Sequence, residues 1–572
     1  MNKYLPKICL SPTDSLKTAW DIMEKNKPKE TNLPGGIVLI LDRSERVLGI
    51  ATAGDLRRAI SKGISMDAPV SRAMNKIPFL IEGRPSNLEI ISTVVDKIRK
   101  ENWHKDRLDK VILVDKNKKL LDLVSFYDLW QQTDARFKHV GIVGLGYVGL
   151  TLGLTLADLG FKVRGVDKNK GVAAAIKSMR PHFFEAGLKE LLGDHLGKNF
   201  QVVENFRGEN NCDVYFVCVG TPLDKKNKPD LKYLGIASKD LGRVLKTGDA
   251  VILRSTVPIG STRDFVLPIL EKESGLKGGD GFLLAFAPER TVEGRALEEL
   301  KKLPQVIGGL NHKSAELASS IFGFMTNSTI LVNSLEEAEM VKLVNNTYRD
   351  VTFNFANEVS LIAQRWGIDT KKVIEAANYG YERSKVPMPS PGVGGYCLTK
   401  DPFIFAESAK AKGHKPILFE HARKVSATML DELEKNILDF LAANKNGNKK
   451  SKILALGLAF KGRPETSDTR GSTAVELLNR LRRSNYPNIH VFDPAVPKPH
   501  FETHGVKYVR DIARGFEKAD AVLLLTNHPH FETISARKLL EASSKPVLFY
   551  DTWGVFDKNE IAKIKGVYYK RL

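Results

Sequence analysis

Val140-Gly141-Ile142-Val143-Gly144-Leu145-Gly146-Tyr147-Val148-Gly149 is the stretch from which the fold is read. Val140–Val143 has the pattern of an apolar strand, and Leu150–Leu159 that of a helix. Phe161–Val166 is the next strand and ends on Asp167. A GxGxxG spacing alone is weak evidence. Strand before, helix after and an acid 18 residues past the last glycine make it a dinucleotide-binding turn. Gly144 permits the tight turn, Gly146 admits a pyrophosphate and Gly149 lets the helix pack close to the strand. Helix-opening amides at Tyr147 and Val148 face the phosphates. Asp167 is placed to accept hydrogen bonds from ribose hydroxyls, and its charge repels a 2′-phosphate. That favours NAD over NADP, although Lys168 and Lys170 soften the preference.

Further strands end in polar loops. Asp213–Val219 stops at Gly220-Thr221-Pro222, and Ala250–Leu253 stops at Arg254-Ser255-Thr256. In an open parallel sheet, ligands sit beyond the carboxyl ends of strands. Thr221, Ser255 and Thr256 are therefore candidates to touch the cofactor, though a loop hydroxyl or cap explains each as well. Cys212 and Cys218 read as packing residues. Cys397 differs. It lies in Pro391-Gly392-Val393-Gly394-Gly395-Tyr396-Cys397-Leu398-Thr399-Lys400-Asp401-Pro402. Three glycines in four positions permit close backbone approach to a substrate, and Lys400 favours a thiolate. A nucleophilic thiol beside NAD points to oxidation through a covalent hemithioacetal.

Composition bounds the rest. The 572 residues are 42% hydrophobic and 27% charged, which implies a globular chain and excludes wholesale disorder. That length suggests about three to four domains. Residues 1–135 carry 23 Lys plus Arg against 18 Asp plus Glu, a proportional share of the overall +20. The charge is spread rather than gathered in an arm, so nucleic-acid binding is the weakest functional class. Four cysteines suit reduced thiols in the cytoplasm. No apolar run reaches the roughly 18 residues of a membrane span, and no leader is read at the start.

Residues 1–135 read as two similar halves, each with a strand, a charged turn, a second strand and a polar helix start. Thr52 and Asp55 in the first half correspond to Ser125 and Asp128 in the second. A helix cap explains this spacing; so does a hydroxyl and a carboxylate facing a ribose, with helix amides facing phosphates. The segment resembles a tandem pair of CBS domains, most clearly at Gly49-Ile50-Ala51-Thr52-Ala53-Gly54-Asp55-Leu56. The resemblance implies an adenine nucleotide effector in the cleft between the repeats. Nothing in the segment offers a nucleophile or a metal cluster, so it is read as regulatory or assembly-forming.

From 138 to 572 the motifs GLGYVGL, VGTP, STVPIGST, APERTVEG, KLVNN, GVGGYCLTKDP and FKGRPETSDTR follow in order. This series resembles the UDP-glucose/GDP-mannose dehydrogenase family. The resemblance implies a four-electron oxidation of a nucleotide sugar's primary alcohol to a carboxylate with two NAD+. It makes Cys397 the nucleophile, Lys342 and Asn346 the holders of the oxyanion, and Asp401 an acid in proton transfer. Glu289 matches the glutamate that activates water for thioester hydrolysis, and Glu293 one beside substrate or cofactor. Lys461 matches a lysine near the sugar nucleotide; Lys400, also a substrate-binding candidate, is similar to the UDP-glucose branch. Arg470 matches an arginine reaching NAD, Arg383 one supplied across a dimer interface. Arg290 stands where the UDP-glucose branch has an aromatic, and Ala287 where it has asparagine. Both favour the N-acetylhexosamine branch, acting on UDP-GlcNAc or UDP-ManNAc for surface polysaccharide precursors.

The expected fold class is α/β, with two Rossmann-like doubly wound domains joined by a helical dimerisation region and preceded by an α+β CBS pair. The expected divisions are 1–135, 138–332, 333–443 and 450–572. Glu336–Trp366 and Phe419–Ala443 read as the long helices, and the resemblance implies that the first is a dimer-forming helix. The alternatives are a UDP-glucose or GDP-mannose 6-dehydrogenase, and a catalytically silent nucleotide sensor.

Overall fold

The computed structural model describes residues 4–26, 33, 35–85, 90, 93, 110–125 and 139–572. The chain divides into two compact units, Met1–Phe137 with Asn327–Thr329, and the remainder.

The N-terminal unit holds two three-stranded sheets. One contains β1 (Cys9–Leu10), β2 (Ile37–Leu41) and β3 (Val47–Thr52), the other β4 (Leu80–Glu82), β5 (Lys110–Val114) and β6 (Leu120–Ser125). Each pairs parallel and then antiparallel, with an irregularity at the same place, Ile40/Leu41 and Leu113/Val114. The charged turns repeat in detail. Asp42 Oδ1 accepts from the amides of Ser44 and Arg46, and Asp115 Oδ1 from those of Asn117 and Lys119. The two hairpins meet edge to edge, Val47 N donating to Lys118 O and Leu120 N to Glu45 O. Ile37, Leu39, Ile112 and Leu123 from both repeats share one core.

In the second unit an eight-stranded sheet runs β14-β13-β12-β11-β10-β7-β8-β9. Its parallel part comprises β7 (His139–Val143), β8 (Lys162–Val166), β9 (Phe200–Val202), β10 (Val214–Val217), β11 (Ala250–Leu253) and β12 (Leu283–Phe286). β13 (Gln305–Gly309) joins antiparallel, and β14 (Thr329–Val332) forms the edge. The order reverses between β7 and β10, which makes the crevice where dinucleotides bind in such sheets. A second, wholly parallel sheet repeats that order with β15 (Ile453–Leu456), β16 (Ile489–Phe492), β17 (Lys507–Tyr508), β18 (Ala521–Leu524), β19 (Val547–Asp551) and β20 (Val567–Arg571). Both first turns are built alike. Gly144 and Gly457 have φ of +93° and +103°. Asp167 Oδ2 accepts from Leu145 N at 2.8 Å, and Asp493 Oδ2 from Leu458 N at 2.7 Å.

The helix after β7 spans Tyr147–Asp158 (α1), three residues earlier than its apolar pattern indicates. Gly146 is the cap, so Gly149 falls in the first turn, where a Cβ would lie 1.8 Å from Gly144 O. Between the sheets run α2 (Leu335–Arg365), α3 (Asp401–Lys410) and α4 (Ile417–Lys445). Ser334 caps α2 by accepting from Glu337 N. Leu335, Ala338, Leu343, Ala356 and Ala363 are buried on α2, while Met340, Val344, Tyr348, Phe355, Ile362 and Trp366 are exposed. Among the described residues no helix is long and apolar enough to cross a membrane.

Candidate active site

Cys397 sits one turn before α3. Its carbonyl accepts from the amides of Lys400 and Asp401, which fixes the backbone below the thiol. Cys397 lines a cavity of about 150 Å³ together with Lys342, Asn346, Glu293, Lys461 and Arg290. Lys342 and Asn346 are one turn apart on α2 and both buried. Asn346 Nδ2 donates to Asp401 Oδ2 at 2.5 Å, and Lys400 Nζ pairs with Asp401 Oδ1 at 2.9 Å. The surrounding protein raises the Cys397 pKa, and the Asp401 carboxylate raises it further; the Lys342 and Lys400 ammoniums oppose both.

Gly394 and Gly395 line that cavity, and their missing side chains also allow close packing behind it. A Cβ on Gly395 would lie 2.7 Å from the Phe460 ring, and one on Gly394 3.0 Å from Gly471 O. Gly395 N donates to Gly471 O at 2.9 Å. The C-terminal sheet's first turn thus buttresses the loop directly. From the other side, Val393 N donates to Ser426 Oγ, whose hydroxyl donates to Asn354 Oδ1. Ser390 N donates to Asn357 Oδ1. Asn354, Asn357 and Ser426 on α2 and α4 therefore hold the loop, and no local pattern marks them.

Glu289 is buried against Arg254, which sequence reasoning did not single out. Glu289 Oε1 also accepts from the amides of Arg290 and Thr291. Burial pushes the Glu289 pKa up, but Arg254 and these donors outweigh it and leave it below the usual range. Arg254 Nη1 donates to Gln305 Oε1, and Phe322 lies under the guanidinium. A cation closing an apolar strand, directly before Ser255, was the available signal. Glu293 behaves oppositely. Burial raises its pKa to about 7, helped by Asp468 and opposed by Arg470 and Lys461. Burial lowers the Lys461 pKa to about 8, and its ammonium donates to Glu293 O at 2.8 Å. Arg470 pairs with Asp468 at 2.7 Å and approaches Glu293 at 3.7 Å.

The glycine-rich turn fits NAD. A Cβ on Gly146 would meet nothing within 4 Å, so open space lies where the pyrophosphate approaches. Asp167 closes the far side of that turn. The Tyr147 phenol donates to Glu185, which also takes the amides of Gly294 and Ala296, tying the turn to the loop carrying Glu293. Val148 lies in the first turn of α1. Thr221 and Ser255 are buried with their hydroxyls engaged, Thr221 by Thr256 O and Ser255 by Val219 O, while Thr256 is only half-buried. Arg383 is exposed and is not among the residues lining the cavity.

In the N-terminal unit Thr52 and Asp55 form a reciprocal capping box at the helix Ala53–Ser61. Thr52 Oγ1 donates to Asp55 Oδ2, and Arg58 holds Asp55 Oδ1 at 2.6 Å. Asp128 and the side chain of Ser125 lie outside the described residues.

Four family models match the chain. Those of the UDP-glucose/GDP-mannose dehydrogenase family match at 138–326 (NAD binding domain), 336–428 (central domain) and 454–558 (UDP binding domain). A CBS domain model matches residues 1–62. A UDP-N-acetyl-D-mannosamine dehydrogenase of Pyrococcus horikoshii is 35% identical over 403 residues, 69% of this chain and 91% of the relative. A UDP-N-acetyl-D-glucosamine 6-dehydrogenase of Pseudomonas aeruginosa is 30% identical, covering 74% and 98%. A solved structure of the UDP-D-ManNAc dehydrogenase from Pyrococcus horikoshii matches with a TM-score of 0.67 and 30% identity, covering 76% and 98%. A UDP-glucose dehydrogenase from Pyrobaculum islandicum matches at 0.65 and 27%, covering 76% and 96%. The dinucleotide turn, the second Rossmann-like sheet and these matches agree: the chain belongs to the UDP-glucose/GDP-mannose dehydrogenase family and is an NAD-dependent nucleotide-sugar dehydrogenase with an N-terminal CBS domain.

Proposed function

We propose that the chain oxidises the 6-hydroxymethyl group of a UDP-N-acetylhexosamine, UDP-GlcNAc or UDP-ManNAc, to the carboxylate in two steps at one site. The observation that carries this reading is the single cavity in which Cys397, Lys342, Asn346 and Glu293 meet. NAD+ supplies the hydride acceptor in each step. In the first, the alcohol loses a hydride from carbon and a proton from oxygen, giving an aldehyde. The Cys397 sulfur then adds to the aldehyde carbon, and the carbonyl oxygen takes a proton, forming a hemithioacetal. Loss of a second hydride and of that proton gives a thioester. Water attacks its carbonyl carbon, the C–S bond breaks, and carboxylate and free thiol result. Lys342 and Asn346 stabilise negative charge on the reacting oxygen. Asp401, oriented by Asn346 and Lys400, exchanges protons there. Glu289 directs the hydrolytic water. Lys400, Lys461 and Arg290 hold the sugar nucleotide, and the product serves as a surface polysaccharide precursor.

The N-acetylhexosamine choice is supported by Ala287 and Arg290 and by relatives named for UDP-ManNAc and UDP-GlcNAc. A second reading, UDP-glucose, is favoured by the similar fold score of the Pyrobaculum islandicum enzyme. Purified protein with excess NAD+ and UDP-GlcNAc, UDP-ManNAc, UDP-glucose or GDP-mannose separates them. Two NADH per sugar with an N-acetylhexosamine is expected. One NADH with free aldehyde overturns the mechanism, and turnover only of UDP-glucose overturns the substrate. Cys397→Ser is expected to abolish uronate formation.

A further inference from the structure

Tyr396 immediately precedes Cys397, and the resemblance assigns it no role. Its ring is a meeting point for two cations. The Arg470 guanidinium lies 4.7 Å from the ring centroid and the Lys400 ammonium 5.4 Å, both within cation–π range. Among the described residues, the Arg470 side chain is otherwise held by the carboxylates of Asp468 and Glu293. The ring therefore adds a contact to the guanidinium that Asp468 holds through Nε and Nη2. The other end of Tyr396 points elsewhere. A Cβ on Gly220 would lie 3.9 Å from the Tyr396 hydroxyl. Gly220 follows β10, on one side of the crevice where the strand order reverses. Among the described residues, that hydroxyl makes no hydrogen bond.

NAD bound in this crevice would lie with its two halves apart along it. Asp167 at the end of β8 marks the adenosine side. Hydride transfer requires the nicotinamide to lie beside the carbon bonded to Cys397. A hydroxyl on the residue next to Cys397, facing the end of β10, is on the nicotinamide side. We propose that Tyr396 is a cofactor-positioning residue with two functions: its hydroxyl donates a hydrogen bond to the carboxamide of the nicotinamide of NAD, and its ring holds Arg470 toward the cofactor. This rests on NAD binding in the crevice and on Cys397 as the reacting thiol.

The test is binding without turnover. NADH and ADP-ribose, which lacks only the nicotinamide, are titrated calorimetrically into the full chain and its variants. Tyr396→Phe keeps the ring and removes the hydroxyl. It is expected to weaken NADH about three- to tenfold and leave ADP-ribose unchanged, the size of one lost hydrogen bond. Tyr396→Leu removes both and is expected to weaken NADH and ADP-ribose together, and Arg470→Gln is expected to do the same. Wild-type NADH affinity in Tyr396→Phe overturns the hydroxyl's role. Unchanged ADP-ribose affinity in Tyr396→Leu overturns the ring's role. If the wild-type chain bound no NADH, the reading beneath the proposal would fail instead. If Cys397→Ser retained uronate formation, the placement of the nicotinamide beside Tyr396 would fail.

Discussion

Glu293 and Lys461 line one cavity with their pKa values displaced toward each other, to about 7 and about 8. Desolvation dominates both, raising the acid and lowering the base. If Lys461 holds the sugar nucleotide, it does so only as a cation. KM for the nucleotide sugar is therefore expected to rise as pH passes about 8, where Lys461 loses its proton. Lys461→Arg should keep KM flat there, because a guanidinium stays charged. A wild-type KM that is level through pH 9 contradicts this. Arg254 makes a different prediction. It is the buried counter-charge of Glu289, and removing one member of such a pair strands the other. Arg254→Met is expected to lower unfolding free energy by roughly 3–5 kcal/mol in a denaturant titration. A loss under about 1 kcal/mol would mean that Glu289 is solvated or protonated instead.

Helix α2 faces two environments along one length. Its inner face carries Glu339, Lys342, Asn346 and Asp350, all buried. Glu339 accepts from Gly260 N, Thr262 N and the Thr262 hydroxyl, yet burial still raises its pKa from 4.5 to about 7. Between these values the folded chain keeps a proton that the unfolded chain has released. Stability on this account falls as pH rises from about 4.5 to about 7 and is level above. Glu339→Gln should remove part of that decline, up to about 3 kcal/mol, measured as unfolding free energy at pH 5 and pH 8. An unaltered slope would contradict it. The outer face leaves Tyr348 69%, Phe355 55% and Trp366 77% exposed in one stripe. Such a contiguous apolar face needs a cover, and a second copy of the helix is the expected one. Tyr348→Glu with Phe355→Glu should halve the mass seen by light scattering. A wild-type chain that is already monomeric rules this out.

Across the chain, the N-terminal repeat and the dehydrogenase form two compact units of one polypeptide. Adenine nucleotides are expected to raise the unfolding temperature of the full chain, as any ligand of the native state does. Because Thr52 and Asp55 cap a helix, Thr52→Ala should also destabilise that unit by about 1 kcal/mol. ATP, ADP and AMP without effect on full-chain unfolding would leave the repeat an assembly role.

What the residues settle alone is local. A strand, GxGxxG, a helix and Asp167 lie within one short segment, and their geometry follows from backbone sterics and spacing. The repeated aspartate turns at Asp42 and Asp115, the α/β class and the two long helices are legible for the same reason. Placing the opening of α1 at Leu150 missed by three residues, because the cap is a glycine without a side-chain signature. Tertiary structure decided everything that depends on distant partners. Arg254 finds Glu289, Ser426 finds Asn354, and Phe460 fills the space that makes Gly395 obligatory. Each joins residues far apart in sequence, where desolvation and packing, rather than local periodicity, fix the contact.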